Sequence, residues 1–254
     1  MKTPIYTSLI LAASATLCIV WSQEKPSPPQ SATITKNAPA VTIPDGLPKH
    51  YQTQNIEGWS VHVDDKLLAN KQWDACKKVL ASQLLDTKRR LPANVTKEMQ
   101  KVPIFFDLKV DVNSCACYHP SKTWLVTNGY PAAKAKSIEL NDPDKFLSWT
   151  IQQPYMLMHE LAHAYHHQVL NFQNPEIIKL YNDSMKAGTY DKTFKVRSTR
   201  QVKHYAITNH KEYFAESVEA YYGCNDFFPF VRSELKKHDP AMHQFLTKKL
   251  GANR

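Results

Sequence analysis

The spacing of apolar and polar positions divides the chain into short extended segments followed by helices. The stretch IEGWSVHVDDKLL reads as one or two strands with a turn. Residues 72–91 place Trp73, Cys76, Val79, Leu80, Leu84 and Leu85 at helical spacing, which predicts a helix ending before Pro92. VPIFFDL, 102–108, reads as a short buried strand. SCACYHPSKTWLVTNGYP reads as loop-rich, and KSIEL, 136–140, as a strand. Helices are predicted near 153–170, 175–187 and 210–222, with a strand-like segment around 193–206 and further short helices at the C-terminus. There is no internal repeat. Strands precede helices without βαβ alternation, so the expected class is α+β.

Composition adds an expected organisation. MKTPIYTSLILAASATLCIVWSQ has one basic residue and then an apolar run too short for a membrane span. It predicts a signal peptide over residues 1–22, with an uncleaved membrane anchor as the alternative. Residues 23–50 form a Pro-rich linker, and residues 51–254 the folded domain. Secreted, extracellular or periplasmic location follows, with no membrane span once the signal is removed. In such a chain Cys76, Cys115, Cys117 and Cys224 permit two disulfides, buried free thiols being the plainer alternative. The formal charge of +9 is spread over dispersed basic pairs, and no nucleic-acid module is recognisable. Asn94 and Asn182 stand in glycosylation acceptor triplets.

The candidate chemistry lies in MHELAHAYHH, 158–167. On a helix, positions four apart are about 6 Å apart along the axis. His159 and His163 can therefore converge on one metal ion, with Glu160 placed to reach a water on it, which is the HExxH pattern. His167 is about 12 Å along the axis from His159, too far to share that ion. The pair His163/His167 has alanine where a base is wanted. His166 and His167 are thus expected at the surface or behind the site. The plainer reading of HExxH is an amphipathic helix with exposed histidines.

A catalytic zinc takes three protein ligands and keeps one position open. His166 and Val169 exclude the HExxHxxGxxH solution. In TNHKEYFAESVEAYYG, 208–223, Phe214, Val218, Tyr221 and Tyr222 make an apolar stripe, while Glu212, Glu216 and Glu219 make an acidic one. Either the three glutamates face solvent, or Glu212 is the third ligand and Glu216 accepts a hydrogen bond from a ligating histidine.

HELAH followed after 49 residues (212 − 163) by EYFAE resembles the catalytic domain of anthrax toxin lethal factor and related gluzincin metallopeptidases. The resemblance covers about residues 153–222. It implies a zincin-like fold, one catalytic zinc on His159, His163 and Glu212, Glu160 as general base and Glu216 behind the ligands. It also implies that Tyr205, seven residues before Glu212, assists the transition state through its hydroxyl; His204 and His210 are rival donors. The chain departs at Ala162, where lethal factor has glycine, and in YYGCNDFFPF. The expected function is an exported zinc metallopeptidase acting on protein or peptide substrates. The alternatives are a zinc amidase acting on cell-wall or other non-protein amides, and a non-catalytic zinc-binding interaction domain. KTFKVRSTRQVK, 192–203, would favour acidic substrate segments if it borders the cleft, and otherwise is a solvated edge. Tyr118 and His119 are candidate substrate contacts, with turn structure at Pro120 as the alternative.

Overall fold

Tyr51–Ile56 (β1) and Trp59–Asp64 (β2) pair antiparallel, Ile56 opposite Trp59, so only Glu57 and Gly58 connect them. Both take positive φ, 53° and 99°, the geometry that lets a two-residue turn follow the twist of its strands. Glu57 tolerates it because its neighbours hold it: its carboxylate pairs with Lys88 at 2.6 Å and its carbonyl accepts from Gln100 Nε2 at 3.0 Å. Alternation then turns Trp59, Val61 and Val63 inward, all fully buried. The structure is a computed structural model and describes residues 46–108 and 115–251. The predicted signal and most of the predicted linker lie outside the described residues. Among the described residues the first strand begins at Tyr51.

After β2 the chain runs through three helices, Asp65–Leu68 (α1), Trp73–Arg90 (α2) and Ala93–Met99 (α3), before Ile104–Phe106 (β3). Then come Ala116–Tyr118 (β4), Lys122–Thr127 (α4), a 3-10 turn at Ala132–Lys134 and Ile138–Leu140 (β5). The sheet order is β1-β2-β3-β5-β4. β2 with β3 and β3 with β5 are parallel, and β4 with β5 is antiparallel. The expectation of α+β is met by a small mixed sheet with helices after it. The absence of βαβ units is corrected: α1–α3 form the crossover between parallel β2 and β3.

The remaining helices are Pro143–Gln152 (α5), Met156–Tyr165 (α6), Pro175–Lys186 (α7), His210–Tyr222 (α8), Arg232–His238 (α9) and Pro240–Leu250 (α10). α6 begins at Met156, after a turn that contains Pro154, and passes at its C-terminus into a π-helical turn over His166–Leu170. The segment around 193–206 is not a strand. It forms single bridges, Thr193 with Val202 and Lys195 with Phe227, and ends in a 3-10 turn at Tyr205–Thr208. α6 lies against α8 on one side and β4 on the other. Among the described residues no helix is long and apolar enough to cross a membrane. Cys76, Cys115, Cys117 and Cys224 are free thiols, so no disulfide of the expected framework forms among them.

One polar cluster ties the sheet together from inside. Lys134 Nζ donates to Asp107 at 2.7 Å and to Glu139, while Glu139 also holds His119 Nε2 at 2.6 Å. Tyr51 donates to Asp107 at 2.5 Å. All five residues are buried. Burial opposes the charges, yet Lys134 and His119 hold the Glu139 carboxyl down at about 2. His119, buried and stacked on Trp124 as well, is held inside this cluster, which favours the structural alternative over a substrate contact.

Candidate metal centre

α6 carries apolar residues on every face, and nine of its ten residues are buried. A helix apolar all round belongs in a core. Glu160 alone is only partly buried. Its Oε2 accepts the backbone N–H of Tyr118 at 2.8 Å. That N–H lies on the side of β4 away from β5, so a strand edge holds the carboxylate without using a side chain. The Tyr118 hydroxyl is occupied elsewhere, 2.8 Å from His167 Nδ1 and accepting from Gln168 Nε2 at 3.0 Å.

α8 starts at the cap Asn209, whose side chain accepts from Lys211 N and Glu212 N. Glu212 therefore sits in the first turn, where the exposed N–H groups favour a carboxylate. The acidic stripe is not solvated: Glu212, Glu216 and Glu219 are 6 %, 1 % and 2 % exposed. The packing of α6 on α8 directs them at the histidines. Glu212 Oε2 lies 3.1 Å from His159 Nε2 and 3.2 Å from His163 Nε2, and the two Nε2 atoms are 3.0 Å apart.

Behind this triangle, His159 Nδ1 is 2.6 Å from Glu219 Oε1 and 3.4 Å from Glu216 Oε1. A carboxylate can only accept, so Nδ1 carries the proton and Nε2 presents a lone pair towards the other two ligand atoms. Three acceptors then face one point. Ligand atoms about 2.0–2.1 Å from a tetrahedral zinc lie about 3.3 Å from one another, close to the separations found. The donor set thus fits a divalent cation, and His159, His163 and Glu212 are one of the two groups able to hold a metal ion among the described residues. The other, His159 with Glu216 and Glu219, shares a histidine already used. Burial would raise the Glu212 carboxyl, but His163 and His159 beside it outweigh this and hold it well below the usual carboxylate range.

Residues 118–249 match the family described as anthrax toxin lethal factor, N- and C-terminal domain. The chain belongs to the anthrax toxin lethal factor family. No curated protein and no solved structure matches it. The lethal factor match opens at Tyr118, whose N–H holds Glu160, and closes within α10. It therefore contains every candidate site residue and leaves β1–β3 and α1–α3 outside.

Tyr205 opens the 3-10 turn that leads into α8 and is half-buried. Tyr205 has a partner of its own, as have its two rivals. His210 Nε2 donates to the Phe172 carbonyl at 2.8 Å, and His204 is buried between Tyr190 and Phe227 with its Nδ1 accepting from Ala206 N. For His166 the surface alternative is excluded: it is fully buried among Phe172, His210 and Phe214, and burial with His163 beside it pushes its pKa down to about 3. Two features escaped the sequence reading. Glu219 is nearer His159 than Glu216 is, although only its place on the acidic stripe hinted at this. The Tyr118 N–H contact has no sequence signature, because every residue but proline carries that group.

Proposed function

We propose that this member of the lethal factor family is an exported zinc metallopeptidase of zincin type, with His159, His163 and Glu212 as ligands and Glu160 as general base. What carries the reading is one observation: three buried acceptor atoms from α6 and α8 converge to within 3.0–3.2 Å, beside Glu160, the one residue of α6 that is only partly buried. When bound there, zinc supplies Lewis acidity to a water and to the scissile carbonyl. Glu160 takes the proton of the attacking water and delivers it to the leaving amine. The Tyr118 N–H fixes the carboxylate in place. Tyr205 donates to the developing oxyanion, and its replacement by Phe lowers turnover by about 100- to 1000-fold with zinc retained. Glu219 and Glu216 orient the His159 ring.

The substrate we propose is an extended peptide. Among the described residues β4 is an edge strand whose outer side meets Glu160. A peptide can add to such an edge through the main-chain groups that Glu160 does not already hold, which other amides cannot reproduce along a strand. The test is cleavage of a peptide library by wild type beside Glu160→Gln. Wild type cleaves, and the variant keeps zinc and does not. Cleavage of wall fragments with no peptide cleaved makes the chain an amidase, and equal inactivity of both on every amide makes it a zinc-binding interaction domain.

A further inference from the structure

At the C-terminal end of α8, whose first turn carries Glu212, the ends of α2 and α8 and the starts of α9 and α10 enclose an open cavity of about 560 Å³. Its cations are Arg90, Arg232 and Lys236, and no carboxylate is among the residues that line it. Nothing in the proposed peptidase mechanism uses it. We propose that this cavity is a binding site for a phosphate monoester, with the phosphoryl group on Arg232, Lys236 and Arg90 and the organic part against the rings of Tyr221, Tyr222 and His243.

Both guanidinium groups are set in place beforehand. Arg232 lies over the Tyr221 ring at 4.1 Å and donates from Nη2 to its hydroxyl at 2.6 Å. Arg90 is braced by Asp86 through Nε at 2.7 Å and by the Tyr222 carbonyl through Nη1 at 3.0 Å, over the Tyr155 ring at 5.2 Å. Ordering of side chains is a main cost of binding, and here most of it is already met. Asp86 already pairs with Arg90, so the unpaired charge of the cavity is that of Arg232 and Lys236; Glu234, the nearest acid in their own helix, is turned away and accepts from the backbone N–H groups of Phe230 and Val231 at 2.8 and 3.3 Å. The field inside is positive. Burial lowers the pKa of His243, and Arg232 and Lys236 lower it further. Planar guanidinium forks with a lysine suit the several oxygens of a phosphoryl dianion. The volume exceeds what a bare phosphate fills, and the aromatic walls account for the rest.

The probes are inorganic phosphate, phenyl phosphate and phosphatidic-acid vesicles, each titrated into the purified chain at low ionic strength and followed by calorimetry or, for vesicles, co-sedimentation. Phenyl phosphate is expected to bind at one site, at least tenfold more tightly than inorganic phosphate, and more weakly as salt rises. The Arg232→Gln/Lys236→Gln double variant is expected to lose at least tenfold, while Lys77→Gln/Lys78→Gln, the same charge change on an exposed part of α2, is not. Binding of vesicles together with phenyl phosphate, or of vesicles alone, names a lipid headgroup as the natural source; phenyl phosphate alone names a free ester. No saturable binding of any probe, or equal loss in the two double variants, overturns the site. Near-ultraviolet circular dichroism of each variant separates a lost contact from a lost fold.

Discussion

Replacing Lys134 by Met removes one positive charge from the buried cluster and keeps most of the side-chain volume. Lys134 is 3 % exposed, and its ammonium group pairs with Asp107 and Glu139, themselves 4 % and 1 % exposed. Two carboxylates then share an interior with only the Tyr51 hydroxyl and the His119 ring to hold them. Removing one partner of a buried ion pair typically costs about 3–5 kcal/mol, because the remaining charge stays desolvated. The Met side chain fits the apolar walls offered by Tyr51 and Phe105, over whose rings the ammonium group sits. The loss is therefore electrostatic and depends on pH. In the wild type the Glu139 carboxyl is held at about 2, below its unfolded value. A depressed carboxyl contributes stability above its unfolded pKa, and that contribution is lost as pH falls towards 2. Without Lys134 the His119 hydrogen bond still holds Glu139 but the share due to Lys134 is gone, so wild type and variant draw together between about pH 5 and pH 2. Urea unfolding at pH 7 and pH 4, with unchanged slope, measures both quantities. A difference below about 1 kcal/mol at pH 7, or one that does not shrink at pH 4, refutes the reasoning.

Glu219→Gln is expected to weaken zinc binding by about 10- to 100-fold in a chelator competition, and Glu216→Gln by less, since Glu219 stands nearer the His159 N–H; an equal or reversed order contradicts this. Gly223→Ala places a Cβ 2.5 Å from the Tyr155 ring, too close for any real contact. It is expected to cost about 1–3 kcal/mol as a lower melting temperature, and no change would mean that the ring moves freely.

How far the site could be read from the sequence follows from what each signal measures. The HExxH spacing fixes a geometry within one helix, and α6 presents His159 and His163 as that spacing requires. The apolar stripes of α2 and α8 gave their limits to within about two residues, since a 3.6-residue period persists over many turns. β3, β4 and β5 are three residues each, too short for any period to show, so the parallel crossover was hidden. Glu216 and Glu219 lie three residues apart on one face, and only the packing of α6 on α8 decides which meets His159. The same holds for the Lys134 cluster. Its members, in β1, the 3-10 turn and β5 and just past β3 and β4, meet only when the sheet closes. His166 looked polar in the sequence, yet its place after α6 takes it into the core.

The central claim is that His159, His163 and Glu212 together hold one metal ion. The most direct measurement is zinc content after dialysis of the purified wild type beside the His159→Ala, His163→Ala and Glu212→Ala variants, with circular dichroism as a control for folding. About one zinc is expected per wild-type chain, with no stable zinc on either folded histidine variant and strongly weakened zinc on Glu212→Ala. A folded His159→Ala variant that keeps a full equivalent of zinc would contradict the claim.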